Sequence, residues 1–368
     1  MAFSWAQLNY PVILCPPMDG ITDSAFRELI ADMGGSSALY CEFINVKGLI
    51  FQNPKTLFEL KYTEKQRPII AQLFGNNPED FYEASKIVVK MGFDAIDINM
   101  GCPAHKVASK GGGCALMGNT ENAAEIVRQT IKGANEAAKE LNLGHEIEVT
   151  CKMRLGISDT DTVMHHGLSM IEAGAKCIAI HGRTLKQMYT GEAKWEPIKD
   201  FVKIKNERYG NSIKVFGSGD AKSLWEAFIR ILTIGVDGVM IGRGSFGNPW
   251  VFEKSRVNMM KKYILEIESF YNKKSGNITI NEIEKYPNYL EIKNNLENKE
   301  HTFEETSEMA IRHAKLMFQE KGDSGIIQMR KHLAWYFHSF DGAKDLRSKL
   351  VQVTSVDEIE RIIKEFVK

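Results

Sequence analysis

The chain has 368 residues, 43% of them hydrophobic and 26% charged, the balance of a folded soluble enzyme rather than of a disordered chain. Lys plus Arg and Asp plus Glu both number 47, so the formal net charge is zero; this excludes a bulk polycation but not a local basic face. No stretch is long and apolar enough to span a bilayer, and Met1–Tyr10 lacks the basic start and apolar run of a signal peptide, so a cytoplasmic protein with no membrane association is expected.

Eight short, near-continuously apolar runs follow in order: Val12–Cys15, Ala38–Cys41, Ile69–Leu73, Ala95–Asn99, Val149–Met153, Cys177–His181, Lys214–Phe216 and Gly238–Ile241. Such runs are expected of parallel strands covered on both faces. Helical stretches such as Pro78–Met91 and Ala123–Glu140 lie between them. Eight strands alternating with helices over about 250 residues predict an α/β fold, a (β/α)8 TIM barrel. A doubly wound sheet would show a G-x-G-x-x-G turn after an early strand, and none stands there.

After Pro249 the pattern changes. Trp250–Tyr271 reads as an amphipathic helix, and Asn272–Glu300, interrupted by Gly276 and Pro287, reads as an extended connection or surface insertion. Thr302 with Glu305 three residues on resembles a capping box. Ile311, Ala314, Lys315 and Phe318 continue a helical stripe, and Gln328–Phe340 and Val356–Val367 read as further helices. The expected units are a barrel over residues 1–250, a helix plus extended connection over 251–301, and a small C-terminal helical domain over 302–368. No feature specifies an oligomer, and a monomer is the reading taken.

In a barrel, catalytic groups collect where the strands end. The seventh and eighth runs end in Ser218-Gly219-Asp220 and Gly242-Arg243-Gly244. Glycines there let backbone N–H groups approach a phosphate, and an arginine adds charge. A single such turn is weak evidence; two at the strands that commonly hold phosphate point to a phosphate-bearing ligand. Lys152 ends the fifth run, and Gln72 and His181 end neighbouring ones, so three polar groups converge on one mouth. A lysine at a strand end usually snorkels to solvent; inside a mouth it stabilises negative charge on a ring.

The six cysteines form no C-x-x-C pair, and four lie within the apolar runs, which argues against a metal site or disulfide framework and for a reduced setting. Cys102 differs, because it stands in a Gly101-Cys102-Pro103 turn just past a strand end. A free cysteine is more often a small buried hydrophobe than a catalyst. At a barrel mouth it is either a nucleophile, which needs an activating base, or a general acid, which needs a proton and a position.

Asp97–Cys114 (DINMGCPAHKVASKGGGC) resembles the signature of the tRNA-dihydrouridine synthases. The resemblance runs through Pro17–Asp23, Gln72, Lys152–Gly156, His181–Thr184 and Ile241–Pro249, and resumes at Arg330-Lys331-His332 and Trp335-Tyr336. The form N-M-G-C-P-A-x-K-V is most similar to the bacterial B-type branch. The resemblance implies an FMN-binding catalytic barrel followed by a helical tRNA-binding domain, with NADPH, or NADH, as reductant. It implies that Pro17, Met18 and Asp19 line the flavin, that Gln72, Lys152 and His181 meet its ring, and that Ser218, Gly219, Asp220, Gly242 and Arg243 surround its phosphate. By the same resemblance Cys102 protonates the substrate, while Asn99, with Arg154 and Tyr189, receives the flipped uracil. The family usually has Asn-Gly-Asp where Ser218-Gly219-Asp220 stands; FMN binding is expected to survive this change.

Arg330, Lys331, His332, Lys344, Arg347 and Lys349 form the best basic cluster for tRNA, although charged residues on short helices mostly just solvate a face. Two other flavin chemistries compete: the same reduction on ribosomal RNA, and a small-molecule oxidation like that of dihydroorotate dehydrogenase. Enzymes of the latter kind tend to follow the Cys-Pro turn with asparagine, whereas Ala104 stands here, and they lack such a helical domain. A non-catalytic RNA-binding barrel would have no use for Cys102, Lys152 and two phosphate loops together.

Overall fold

The computed structural model describes residues 2–366. Nine parallel strands form the barrel: β1 (Val12–Leu14), β2 (Leu39–Tyr40), β3 (Ile44–Asn45), β4 (Ile69–Phe74), β5 (Ala95–Met100), β6 (Val149–Arg154), β7 (Cys177–His181), β8 (Lys214–Ser218) and β9 (Gly238–Met240). They lie in the order β1-β9-β8-β7-β6-β5-β4-β2, with β3 also beside β4. β2 and β3 are two pieces of one stave, pairing with successive parts of β4 through Leu39↔Ile69 and Ile44↔Leu73. The barrel closes where the Ser37 N–H donates to the Ile13 carbonyl at 2.9 Å. The fold is therefore the eight-staved α/β barrel expected from the apolar runs, followed by helices.

Two layers of apolar packing explain those runs. Val12, Leu14, Tyr40, Ile70, Phe216 and Met240 fill the barrel interior, and Trp5 from the N-terminal segment packs in with them. The opposite strand faces pack against the surrounding helices, so both faces are buried, and polar residues alternate with apolar ones only toward the C-terminal ends of strands such as β5 and β6. Helix Pro78–Lys90 starts at Asn77, whose side chain accepts the N–H groups of Glu79 and Asp80. Helix Thr120–Glu140 turns inward a stripe of alanines together with Ile126, Val127, Thr130 and Gly133.

The stretch Asn272–Glu300, expected as an extended connection or a surface insertion, is not extended throughout: it contains helices Ile280–Lys285 and Tyr289–Leu296. Ile278, Ile283, Ile292 and Leu296 are buried, so burial of isolated isoleucines outweighs a polar composition. The capping box at Thr302 forms as expected and opens helix Phe303–Lys321. Its buried side is Met309, Ala310, His313, Ala314 and Met317; Lys315 and Phe318, placed on the stripe from sequence, face out, Phe318 at 46% exposure. Gly322, at φ +59°, breaks the chain into a second helix, Asp323–Tyr336. Helix Ala343–Leu350 follows, then Val356–Phe366; Val367, its expected end, lies outside the described residues. Among the described residues no helix is long and apolar enough to cross a membrane.

Candidate active site

A cavity of about 590 Å³ opens at the C-terminal end of the strands. Its lining includes Pro17, Met18, Asp19, Gln72, Asn99, Cys102, Lys152, Arg154, His181, Tyr189, Ser218, Gly219, Asp220, Gly242 and Arg243. Of the residues expected in a site, only Arg330 and Lys331 lie elsewhere. Strand register explains the convergence: Gln72 is level with Asp97, Asp97 with Thr150, Asn99 with Lys152, and Arg154 with His181 and Ser218. Residues two apart on a strand share a face, so these side chains form inward rings above the apolar interior.

The lowest polar ring is a directed chain of hydrogen bonds. Thr150 Oγ1 donates to Asp97 Oδ1 at 2.6 Å, and Gln72 Nε2 donates to Asp97 Oδ2 at 2.6 Å. Gln72 Oε1 then accepts from Asn99 Nδ2 at 2.9 Å. Asn99 Oδ1 accepts the backbone N–H groups of Gly101 (3.0 Å) and Cys102 (2.8 Å). A carboxylate only accepts, so Asp97 fixes which way both amides point. Burial pushes the Asp97 carboxyl up to about 6, against the pull of the Gln72 and Thr150 bonds and the Lys152 charge. Asp97 was not singled out as a site residue from sequence; the only signal was an acid inside an apolar run.

The turn carrying Cys102 is braced from the other side by Arg154, which is 2% exposed. Its Nε donates to the Gly101 carbonyl at 2.8 Å, and its Nη1 to the carbonyls of Thr184 (3.0 Å) and Met188 (2.8 Å). The guanidinium also lies 5.6 Å from the Tyr189 ring centroid. Tyr189 stands on the rim at 59% exposure. All six cysteines are free; five are buried and only Cys102 is partly exposed. Burial raises the Cys102 thiol above its usual value, the Ala104 backbone offsetting part of this. At neutral pH it is a thiol, suited to giving a proton rather than to attacking as thiolate.

Lys152 has no hydrogen-bond or ion-pair partner among the described residues, yet it lines the cavity. Burial, then the neighbouring Arg154, lowers its ammonium to about 8, with Asp97 and Cys102 pulling the other way. His181 is held well below its usual value by burial and by Lys152, so it is neutral. Arg183 Nη1 lies 3.4 Å from His181 Nε2; a guanidinium only donates, which leaves the ring proton on Nδ1.

On the phosphate-type side, Gly219 (φ +115°) has no room for a side chain, since a Cβ would stand 2.7 Å from Ala193 Cβ and 2.9 Å from the His181 ring. Asp220 accepts from Arg183 Nη2 (2.7 Å), Arg243 Nη2 (2.7 Å) and the Ala193 N–H (2.8 Å). Burial opposes its ionisation, but the Ala193 N–H and Arg183 outweigh it and hold the carboxyl below its ordinary range. Its oxygens thus orient two arginines, and Arg243 is the half-exposed one that reaches the cavity. Arg183, Phe246 and Lys222 are further contributors not anticipated from sequence. Asp19 sits on the rim, 3.4 Å from Lys106 Nζ across the mouth.

The expected tRNA cluster is largely occupied within the protein. Arg330 Nε and Nη2 donate to the carbonyls of Val353 (2.9 Å) and Gln352 (3.1 Å), and Arg347 Nη1 donates to the Phe337 carbonyl (2.9 Å). Lys331 Nζ donates to the Gly20 carbonyl, and His332 is buried. Lys344 and Lys349 are exposed.

The chain is similar to known proteins along nearly its whole length. The family model described as "Dihydrouridine synthase (Dus)" matches residues 13–275 and 276–368. "Probable tRNA-dihydrouridine synthase" of Mycobacterium tuberculosis (strain CDC 1551 / Oshkosh) is 31% identical over 366 residues, 97% of this chain and 82% of that protein. "Probable tRNA-dihydrouridine synthase 1" of Synechocystis sp. is 32% identical over 348 residues, 94% and 83% of the two chains. The Staphylococcus aureus (strain COL) protein of the former name is 27% identical over 368 residues, 98% and 95%.

Proposed function

Because the chain belongs to the dihydrouridine synthase family, we propose that it reduces a uridine of tRNA to 5,6-dihydrouridine, with FMN in the barrel-mouth cavity and NADPH as reductant. The observation that carries this reading is the meeting, in one cavity, of a protonated thiol at Cys102 and an unpartnered cation at Lys152. When bound, FMN would supply hydride to uracil C6.

The residues present fit that group. Lys152 would set its charge against the electron-rich edge of the ring, and Gln72 and the Nδ1–H of His181 would hydrogen-bond the same edge. Pro17 and Met18 offer a wall from the β1 loop, with Asp19 at the rim. Arg243, oriented by Asp220, and the backbone around Ser218, Gly219 and Gly242 would hold the phosphate. Cys102 would hold the proton delivered to C5, and it needs no partner base because its thiol is already protonated.

A uridine inside folded tRNA must leave its stack to reach this depth. Asn99 keeps one amide N–H for the uracil, Tyr189 offers a face at the rim, and Arg154 acts chiefly by bracing the Gly101-Cys102 turn and the Tyr189 ring. The helical region over 302–368 would carry tRNA through exposed lysines such as Lys344 and Lys349. The test is nucleoside mass spectrometry of unmodified tRNA incubated with the protein, FMN and NADPH. Dihydrouridine is the expected product. Its appearance in ribosomal RNA but not in tRNA would overturn the substrate; its absence from both would overturn the reaction.

A further inference from the structure

Arg330, Lys331 and His332 read from sequence as part of a basic cluster for RNA, but the side chains of Arg330–Tyr336 make their contacts within the protein. Besides Arg330 and Lys331, already described, His332 packs against His313 (centroids 4.6 Å apart) and against Phe26 (5.9 Å). Trp335 stacks on Phe246 at 4.3 Å with 20° between the planes. Tyr336 Oη lies 3.3 Å from His313 Nδ1.

Two of these contacts end on the loops that bracket one side of the cavity. Lys331 holds the carbonyl of Gly20, whose N–H donates to the buried Glu42, so this left-handed glycine (φ +70°) is gripped at both backbone groups. Gly20 directly follows the cavity residues Met18 and Asp19. Phe246 lines the cavity itself and follows Gly242 and Arg243. Gly247 then runs against the helix backbone: a Cβ there would lie 2.5 Å from the Trp335 carbonyl carbon and oxygen. A third anchor, the nearly buried Lys321–Asp23 ion pair at 2.6 Å, secures the far end of the first loop. Because β1 and β9 are neighbours, the two loops are adjacent and one helix spans both.

We propose that Arg330–Tyr336 is a latch that holds the loops after β1 and β9 in the arrangement that retains FMN, so that the helical region serves cofactor binding as well as RNA. The inference rests on the FMN reading given above. Loops already ordered lose less conformational freedom when a ligand seats between them, so binding tightens without the latch touching the ligand. Lys331, Trp335 and Tyr336 are positioning residues on this account.

The test measures FMN affinity by flavin fluorescence quenching and, in parallel, affinity for an unmodified tRNA transcript, on the full chain. Lys331→Met and Trp335→Leu should each raise the FMN Kd by about tenfold or more while tRNA affinity stays within about twofold. Trp335→Phe, which keeps a ring against Phe246, should restore most of the FMN affinity. Circular dichroism and the melting temperature without FMN verify folding, and Lys331→Met serves if Trp335→Leu fails to fold. Unchanged FMN affinity in Lys331→Met and Trp335→Leu, with or without loss of tRNA binding, would overturn the latch. Failure of the unaltered protein to bind FMN would overturn the functional reading and the latch with it.

Discussion

The Asn99 side-chain carbonyl accepts the backbone N–H of Cys102 at 2.8 Å, so one buried amide decides where the thiol stands. That amide takes its own direction from Gln72, and Gln72 from Asp97. Replacing Asn99 by alanine removes both bonds that close the turn and leaves two backbone donors unpaired. Turnover of tRNA by Asn99→Ala should fall by about ten- to a hundredfold, because a displaced proton donor costs rate steeply. Flavin reduction by NADPH, which does not use the thiol, should stay within a few-fold. Rapid-mixing measurement of the two half-reactions separates these effects; equal losses in both would show that Asn99 acts on the cofactor instead.

Cys102→Ala takes away the proton donor without disturbing the turn, since the turn offers only backbone atoms to the Asn99 and Arg154 side chains that hold it. We expect FMN binding and NADPH oxidation to persist while dihydrouridine formation drops by about 10²- to 10⁴-fold, the usual range for a general acid. Dihydrouridine formation at the unaltered rate, read by mass spectrometry, would remove Cys102 from the chemistry.

Glu42 ties stability to pH. It lies in the gap between β2 and β3, where burial and then the neighbouring Asp23 raise its carboxyl to about 7, despite Lys321 and the Gly20 N–H. A carboxyl with a raised folded-state pKa binds more protons folded than unfolded, so its contribution is full below its unfolded value and is lost as pH rises toward 7. Over about pH 4.5 to 7 this group should remove up to about 3 kcal/mol of stability. Glu42→Gln should flatten that slope in urea unfolding series; a parallel slope in the variant would assign the dependence to other groups.

The barrel was legible because its strands are apolar on both faces and its polar groups stand at strand ends in a fixed order. Of the fifteen cavity-lining residues named above, all but Pro17 and Met18 carry a polar group or are turn glycines. What was not legible depends on direction rather than identity. Asp220 reads as a phosphate neighbour, yet its oxygens are spent on Arg183 and Arg243. Arg330 and Lys331 read as RNA contacts because charge in a sequence carries no sign of facing inward; carbonyls of Val353 and Gly20, remote along the chain, claim them. Asp97 passed unnoticed as a strand residue because its partners, Gln72 and Thr150, come from other staves.

Lys152 supplies the last prediction. Burial and Arg154 bring its ammonium down to about 8, so the cation is present below that pH and is lost above it. If the charge stabilises the bound ring, turnover should hold through neutrality and fall as pH passes about 8. A bound anion favours the ammonium, so the fall in turnover under saturating FMN should begin higher than the fall in FMN affinity of the free protein. Lys152→Arg keeps a charge that does not titrate in this range and should abolish the alkaline fall, though at a lower plateau, because the planar guanidinium cannot occupy the position of a compact ammonium. Lys152→Met should lower turnover by about 10²- to 10³-fold, the scale of one removed electrostatic donor, and should show no alkaline fall. An identical fall in all three proteins would trace the dependence to another group, and Cys102, whose thiol is itself raised by burial, would be the next to replace.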